Sequence, residues 1–300
     1  MTDAALPRVD QGAPTARPGR RFSWSWLGLI PFFAFAIAFL IVPTFYLVNG
    51  SFHTESGEFT LQNYADLADP TIIGAFQASI EISAVTAIIG GIFGFLLAYA
   101  VIRGGLPSFL GAALMTFSGV ASNFAGVPLA LAFTFTLGVS GLITLLLQPF
   151  GIDLARGDFS IYSKIGLEIC YLYFQFPLMV LIMAPAIQGI KAEWREASEN
   201  MGATTFQYWR HIALPILTPT LLGTMILLFG NAFGAQATAF QLTGGTLNLV
   251  PIIIGAQIRG DVLHNPGLGY AMAMGMVIIM AVSLAGYSWL QKLSERWLRS

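Results

Sequence analysis

The residues able to do chemistry in this 300-residue chain are few, and their spacing says more than their number. Between two long apolar runs lies Glu196-Ala197-Ser198, followed by Gly202 and then by Ile212, Leu214 and Pro215. One carboxylate, small residues, a glycine and an apolar group ending in proline make up no nucleophile–base pair and no metal-ligand cluster. What such a stretch offers is a docking element. Glu81, Glu168, Asn231 and Gln236 interrupt apolar runs elsewhere, and Asn123 is a further polar candidate. His53, His211 and His264 lie too far apart in sequence to show metal-ligand spacing. Cys170 is the only cysteine and sits inside an apolar run, so no intrachain disulfide can form. No G-x-x-x-x-G-K-[ST] loop occurs, nor even a Gly-Lys pair, so the chain has no phosphate cradle for ATP and no cofactor is expected.

The elements that must position these residues are membrane helices. Hydrophobic residues make up 56% of the chain and charged residues 10%, where soluble domains carry about 25% charge. Mean hydropathy is +0.72. Lipid must solvate part of so apolar a surface. A formal net charge of −1 leaves no electrostatic footprint for nucleic acid. The expected fold is all-α, a polytopic membrane helix bundle. Residues 1–22 read as a flexible tail and 23–300 as the membrane domain. Spans near the roughly 20 residues that a bilayer core requires are expected at about Trp24–Val48, Gln77–Ile102, Phe109–Gly138, Ile165–Gly189, Ile216–Gln241 and Leu268–Leu290. The apolar stretch from Phe109 to Phe150 is long enough for one helix plus an amphipathic segment, or for two helices, and leaves the role of 139–163 open. The distribution of cations separates the two. With six spans only Arg156, Lys164 and Arg259 of the 14 basic residues lie outside. With seven, everything after Phe150 changes side and the asymmetry nearly vanishes. The positive-inside rule therefore favours six spans with both termini cytoplasmic. The outer loop from Gly50 to Phe76 agrees, carrying Glu55, Glu58, Asp66 and Asp69 but no Lys or Arg.

That topology places the stretch 191–215 in the cytoplasm. Trp194, Ala197, Ser198 and Met201 recur at i, i+3, i+4 and i+7, which predicts a short helix with one apolar or small face for a partner to approach. Gly202 supplies a turn at its C-terminus. Thr204 and Gln207 have capping-box spacing and start a second short helix. Pro215 is expected to close it, so that the next span starts afresh.

The stretch resembles the EAA loop of binding-protein-dependent ABC importer permeases, E-A-A-x3-G-x9-I-x-L-P. Glu196, Ala197, Gly202, Ile212, Leu214 and Pro215 match it in register, and Ser198 replaces the second alanine, small for small. The resemblance implies a transmembrane permease subunit of a bacterial importer in the inner membrane. Such a subunit is not itself an enzyme. It pairs with a second permease subunit, identical or different, and works with an ATPase dimer that binds the ATP and with a soluble substrate-binding protein. In this family the loop docks in a groove of the ATPase, with Glu196 as its main polar contact. Phe59-Thr60-Leu61-x-Asn63-Tyr64 and Leu97-Ala98-Tyr99 resemble the polyamine branch, although permeases for ferric iron, thiamine and aminophosphonates share such matches.

Glu81 and Glu168, each about a turn into a span, read either as an outer-mouth carboxylate pair for a cationic solute or as shallow groups reaching the interface or a neighbouring helix. Asn231 and Gln236, expected within the fifth span, read as pathway residues or as interhelical hydrogen-bonding groups. Gly90-x-x-x-Gly94 and Gly230-x-x-x-Gly234 mark close helix packing. An ion-gradient-driven secondary transporter is the alternative function, but it predicts an inverted repeat, and none is visible.

Overall fold

A computed structural model describes residues 28–105, 107–151, 154, 159–260 and 264–299. The expected tail at 1–22, the start of the first span and Arg156 lie outside these residues. The chain divides into two compact units between Tyr46 and Leu47. In the first, Ile30–Ala36 is α-helical and Ile37–Ile41 makes a π turn, with no residue buried in either and with Phe32, Phe35 and Phe39 exposed. Bare rings on this scale form a surface for lipid rather than water.

Among the described residues, six helical stretches are long and apolar enough to cross a membrane: Ile30–Ser51, Pro70–Arg103, Gly126–Phe150, Lys164–Gln188, Thr205–Phe233 and Pro266–Trp289. We number the principal helices α1 (Ile30–Ser51), α2 (Pro70–Arg103), α3 (Ser108–Ala121), α4 (Gly126–Leu137), α5 (Lys164–Gln188), α6 (Ala192–Asn200), α7 (Thr205–Phe233), α8 (Gln236–Thr243), α9 (Val250–Arg259) and α10 (Pro266–Arg299). The fold is the all-helical membrane bundle the composition requires.

α2 starts earlier than Gln77, for a local reason. Thr71 donates its backbone N–H to Asp69 Oδ1 at 2.7 Å, and Pro70 occupies the first turn, where its missing N–H costs nothing. The same bond holds the Asp69 carboxyl below its ordinary range.

α5 is the spine of the second unit. Its Leu167, Cys170, Tyr171 and Phe174 enter one buried cluster with Ile82, Leu129, Leu242 and Leu249. Met179, Val180, Met183 and Ile187 enter another with Ala98, Tyr208, Ala213 and Leu217. α2 lies against α5 through Gly90 and Gly94. A Cβ on Gly94 would stand 2.6 Å from Met179 Cβ and 3.2 Å from the Phe176 carbonyl oxygen. Gly91 faces Met225 of α7 instead. Close approach brings the buried Gln175 amide to Thr86, Nε2 to Oγ1 at 3.0 Å.

The third crossing departs from the expected single helix Phe109–Gly138. α3 ends at Ala121 and α4 begins at Gly126. Met115 of α3 packs on the cluster around Met179, while Leu129 and Ala130 of α4 belong to the cluster around Tyr171. Residues 108–137 thus pass both halves of α5 as two half-length helices. Gly126, at φ +73°, makes the break possible, and its N–H donates to Thr238 Oγ1 of α8 at 2.8 Å. The stretch Gly126–Phe150 is itself interrupted after Leu137, where Thr144 Oγ1 donates to the Gly138 carbonyl at 2.8 Å.

The fifth crossing is also displaced. α7 runs from Thr205 to Phe233 and stops, and α8 is a separate short helix. Tyr171 Oη donates to the Ala235 carbonyl at 2.9 Å and so satisfies a backbone group freed at the break.

Candidate functional site

The stretch 191–215 projects where α2 and α5 end. α6 spans Ala192–Asn200 and terminates at Gly202, which takes φ +79° with open space around its Cα. The Gly202 N–H donates to the Glu199 carbonyl at 2.9 Å and the Ala203 N–H to the Ser198 carbonyl at 3.0 Å, closing the helix end. Thr204 then caps α7 as expected. Its Oγ1 accepts from Gln207 N at 3.3 Å, and Gln207 Oε1 accepts from Thr204 N at 2.8 Å.

Two expectations for this stretch are corrected. Pro215 does not close the second helix: the chain continues from Thr205 into the fifth crossing through a π turn at Trp209–Ala213. There Leu214 N–H reaches back to the Trp209 carbonyl, one residue further than an α-helix requires. That wider turn accommodates a proline that would otherwise clash with the carbonyl four residues before it. Ser198 does not lie on the partner-facing surface. It is 1% exposed, and its Oγ donates to the Arg195 carbonyl at 2.7 Å. Only a small side chain fits there, for reasons internal to this chain. Ala197 is exposed and, with Trp194, Met201, Ile212 and Ile216, lines a shallow apolar groove of about 340 Å³. Met201 and Phe206 stand 79% and 70% exposed, and Glu196 is exposed on a separate groove that Arg103 and Tyr208 also line. Leu214 is 39% exposed.

The spacing pattern missed what holds the stretch in place. Arg103, at the end of α2, donates Nη2 to the Ile190 carbonyl and to the Ile187 carbonyl at 3.3 Å, capping α5 where the stretch departs. Tyr99 meets Trp209 edge to face at 5.0 Å between ring centroids. These contacts also explain part of the polyamine-like motif. Tyr99 serves the stretch, Asn63 Nδ2 donates to the Ser51 and His53 carbonyls at 3.0 and 3.1 Å, and Tyr64 Oη lies 2.8 Å from Ser51 Oγ. They tie the chain to itself and carry no information about a solute. Because Arg103 is largely exposed, we expect Arg103→Ala to cost about 1 kcal/mol. It should also speed proteolytic cleavage between residues 191 and 204, read by timed digestion.

The other polar candidates separate. Glu81 is ion-paired to Lys164, Oε1 to Nζ at 2.5 Å, across α2 and α5. Glu168 lies one turn beyond Lys164 on α5 and is half-buried. The outer-mouth pair is therefore a triad with a cation in it. With side chains 37% and 60% exposed, a Lys164–Glu81 double-mutant cycle should return a coupling below about 1 kcal/mol. Asn231 lies near the end of α7 in an open groove of about 960 Å³, together with Asn123 and Ser122 from the break before α4. Leu178, Met276 and Met280 form apolar walls. The Asn231 amide makes no hydrogen bond to described residues. Gln236 does not share that groove: it opens α8 and lines a different chamber. Gly230 faces Met280 of α10, as close packing requires, but Gly234 ends α7.

A family described as "Binding-protein-dependent transport system inner membrane component" matches residues 104–300, which take in the broken crossings and the projecting stretch. The chain belongs to that family. The permease is accordingly a multi-pass inner-membrane transport component rather than a catalyst, with no cofactor of its own and ATP handled by a partner ATPase. Its relatives include a probable sulfate transport system permease, cysT, of Nephroselmis olivacea, 22% identical over 93% of each chain. A spermidine/putrescine transport system permease, PotB, of Haemophilus influenzae is 25% identical over 88% of this chain and 93% of its own length. In fold the permease is similar to a chain of a bacterial ABC transporter for the acidic polysaccharide alginate, with a TM-score of 0.67 and 19% identity over 91% of this chain and 95% of that one.

Proposed function

We propose that the permease is one half of the translocation pathway of an ATP-driven importer, coupled through Glu196–Pro215 to an ATPase dimer in the cytoplasm. The observation carrying this reading is the combination of a rigidly capped, projecting helix–turn–helix with exposed Glu196, Ala197, Met201 and Phe206 at its tip. Gly202 sets the angle between its helices, and the continuous α7 transmits motion of the tip into the bundle. Ile212, Leu214 and Pro215 form the joint between tip and crossing. Both termini face the cytoplasm, and the opposite end receives a soluble binding protein, as the alginate transporter does in complex with its periplasmic protein. A second permease subunit, identical or homologous, completes the pathway. Non-helical backbone at membrane depth is tolerated where protein covers it or water reaches it. The breaks at 122–125 and 234–235, with Asn123 and Asn231 on the open groove, suit the pathway on that ground.

An ion-gradient-driven transporter fits less well, since Glu81, its best candidate ion site, is already neutralised by Lys164. For the solute, a polyamine is supported by the PotB relative. It draws little from Glu81, whose charge Lys164 offsets. The sulfate-named relative points to anions instead.

The test is a Glu196→Lys, Gly202→Pro double variant. It should reach the membrane in normal amount yet lose ATPase association and uptake. Full uptake with a normal ATPase complement overturns the coupling role.

A further inference from the structure

Gln236, expected to line a pathway within the fifth span, instead opens α8 on a chamber of about 680 Å³ between α8 and α9. Gln241 lines the same chamber from the end of the next turn, and Arg259 lines it from the last turn of α9. An arginine in that position would ordinarily cap the carbonyls of its own helix end. Among the described residues this one caps none, and its guanidinium lies one helical turn back over Gly255, the direction helical side chains take. A Cβ on residue 255 would overlap Gln236 Nε2 and lie 3.4 Å from Arg259 Nη2. Two N–H donors from different helices thus converge over the one residue type that leaves them room. Arg259 has no ion pair or hydrogen bond among the described residues. Among the described residues no carboxylate lines the chamber, whose other walls include Val127, Phe240 and Ile252. Lys164, by contrast, is consumed by Glu81.

An unpaired guanidinium with neighbouring carboxamides and apolar walls suits a carboxylate, sulfate or phosphate group. The planar fork offers paired donors to such an oxyanion and the amides add neutral ones, and because Arg259 and Gln241 are exposed an arriving solute can reach them. A polyamine would meet a positive charge that no described residue offsets. We propose that this chamber is an anion subsite, with Arg259 and Gln236 as its principal donors and Gln241 at its edge. Resting on the permease reading above, the subsite lies on the transport path and assigns the imported solute to the oxyanion-bearing class.

Cys170 is fully buried, so the chain provides its own blank for thiol chemistry. Gln241→Cys, in the full-length chain within membrane vesicles, is to be modified with sulfonatoethyl and with trimethylammoniumethyl methanethiosulfonate. The rate ratio of the two reagents at a free thiol in solution serves as the reference. Arg259 should favour the anionic reagent by roughly tenfold over that reference. Adding Arg259→Gln should abolish the preference, and Arg259→Lys should keep most of it. A ratio unchanged by Arg259→Gln overturns the anion subsite, and a Gln241→Cys thiol that neither reagent reaches overturns its place on a solute path. Failure of the permease reading is distinct: the labelling preference would stand while no ATPase associates with the chain.

Discussion

Gly94→Leu should lower the melting temperature of the bundle more than any other single change described. The closest neighbour of a Cβ at this position is another Cβ, that of Met179 at 2.6 Å, with the Phe176 backbone 3.2 Å away. Neither can swing aside as the tip of a side chain can. Relief requires α2 and α5 to separate along the seam that carries both principal buried clusters. Overpacking of this kind costs about 3 kcal/mol, a large share of a typical domain's stability. Burial of the sole cysteine at 0% exposure supplies the measurement, because a thiol-reactive dye reports unfolding as Cys170 becomes accessible on heating. The variant should show dye reaction at temperatures where the parent shows none. Gly230→Ala is the matched control: its Cβ meets only the terminal Met280 Cε within 3 Å, which can move, so the melt should shift little. Equal melts for Gly94→Leu and the parent would show that the α2–α5 seam is not as described.

Gly202→Val should separate coupling from folding. Gly202 is exposed, its φ is +79° and no atom crowds it, so the substitution fills no space. What it opposes is the left-handed conformation, which costs a β-branched residue about 1–2 kcal/mol. The cheapest escape is to re-aim α6 relative to α7. The Cys170 melt should therefore move little, while substrate-driven uptake falls by at least about tenfold, as expected when a coupling geometry is lost. Gly202→Asn should restore much of the uptake, because asparagine tolerates positive φ. If valine transported as well as glycine, the angle between the two helices would have no part in coupling.

Features governed by neighbouring residues were legible in the sequence. The number of spans follows from apolar length, Gly202 from the need for positive φ, and the Thr204–Gln207 cap from its three-residue spacing. Features governed by distant residues were not. The helix break before Gln236 is held by Tyr171, 64 positions away. The break before Gly126 is held by Thr238, 112 positions away. Arg103 counted only as one more inner-side charge, yet its bonds reach across 84 and 87 positions to the carbonyls at the base of the projecting stretch. Pro215 shows a different limit. The rule that proline ends a helix assumes an α turn before it, and a π turn removes that assumption. Periodicity puts Ser198 on the right helix but on the open side, because it groups residues on a face without saying which neighbour that face meets.

Glu196–Pro215 is proposed to connect this bundle to an external ATPase. The most direct test is to purify the tagged permease in mild detergent and measure both the ATPase subunit that accompanies it and the ATP hydrolysis of the complex. The parent chain should bring an ATPase, one per copy if the two permease subunits are identical and two if they differ, with hydrolysis that rises when the loaded binding protein is added, and Glu196→Lys should lose both. A permease that purifies without an ATPase while its uptake collapses with the membrane ion gradient would contradict the claim.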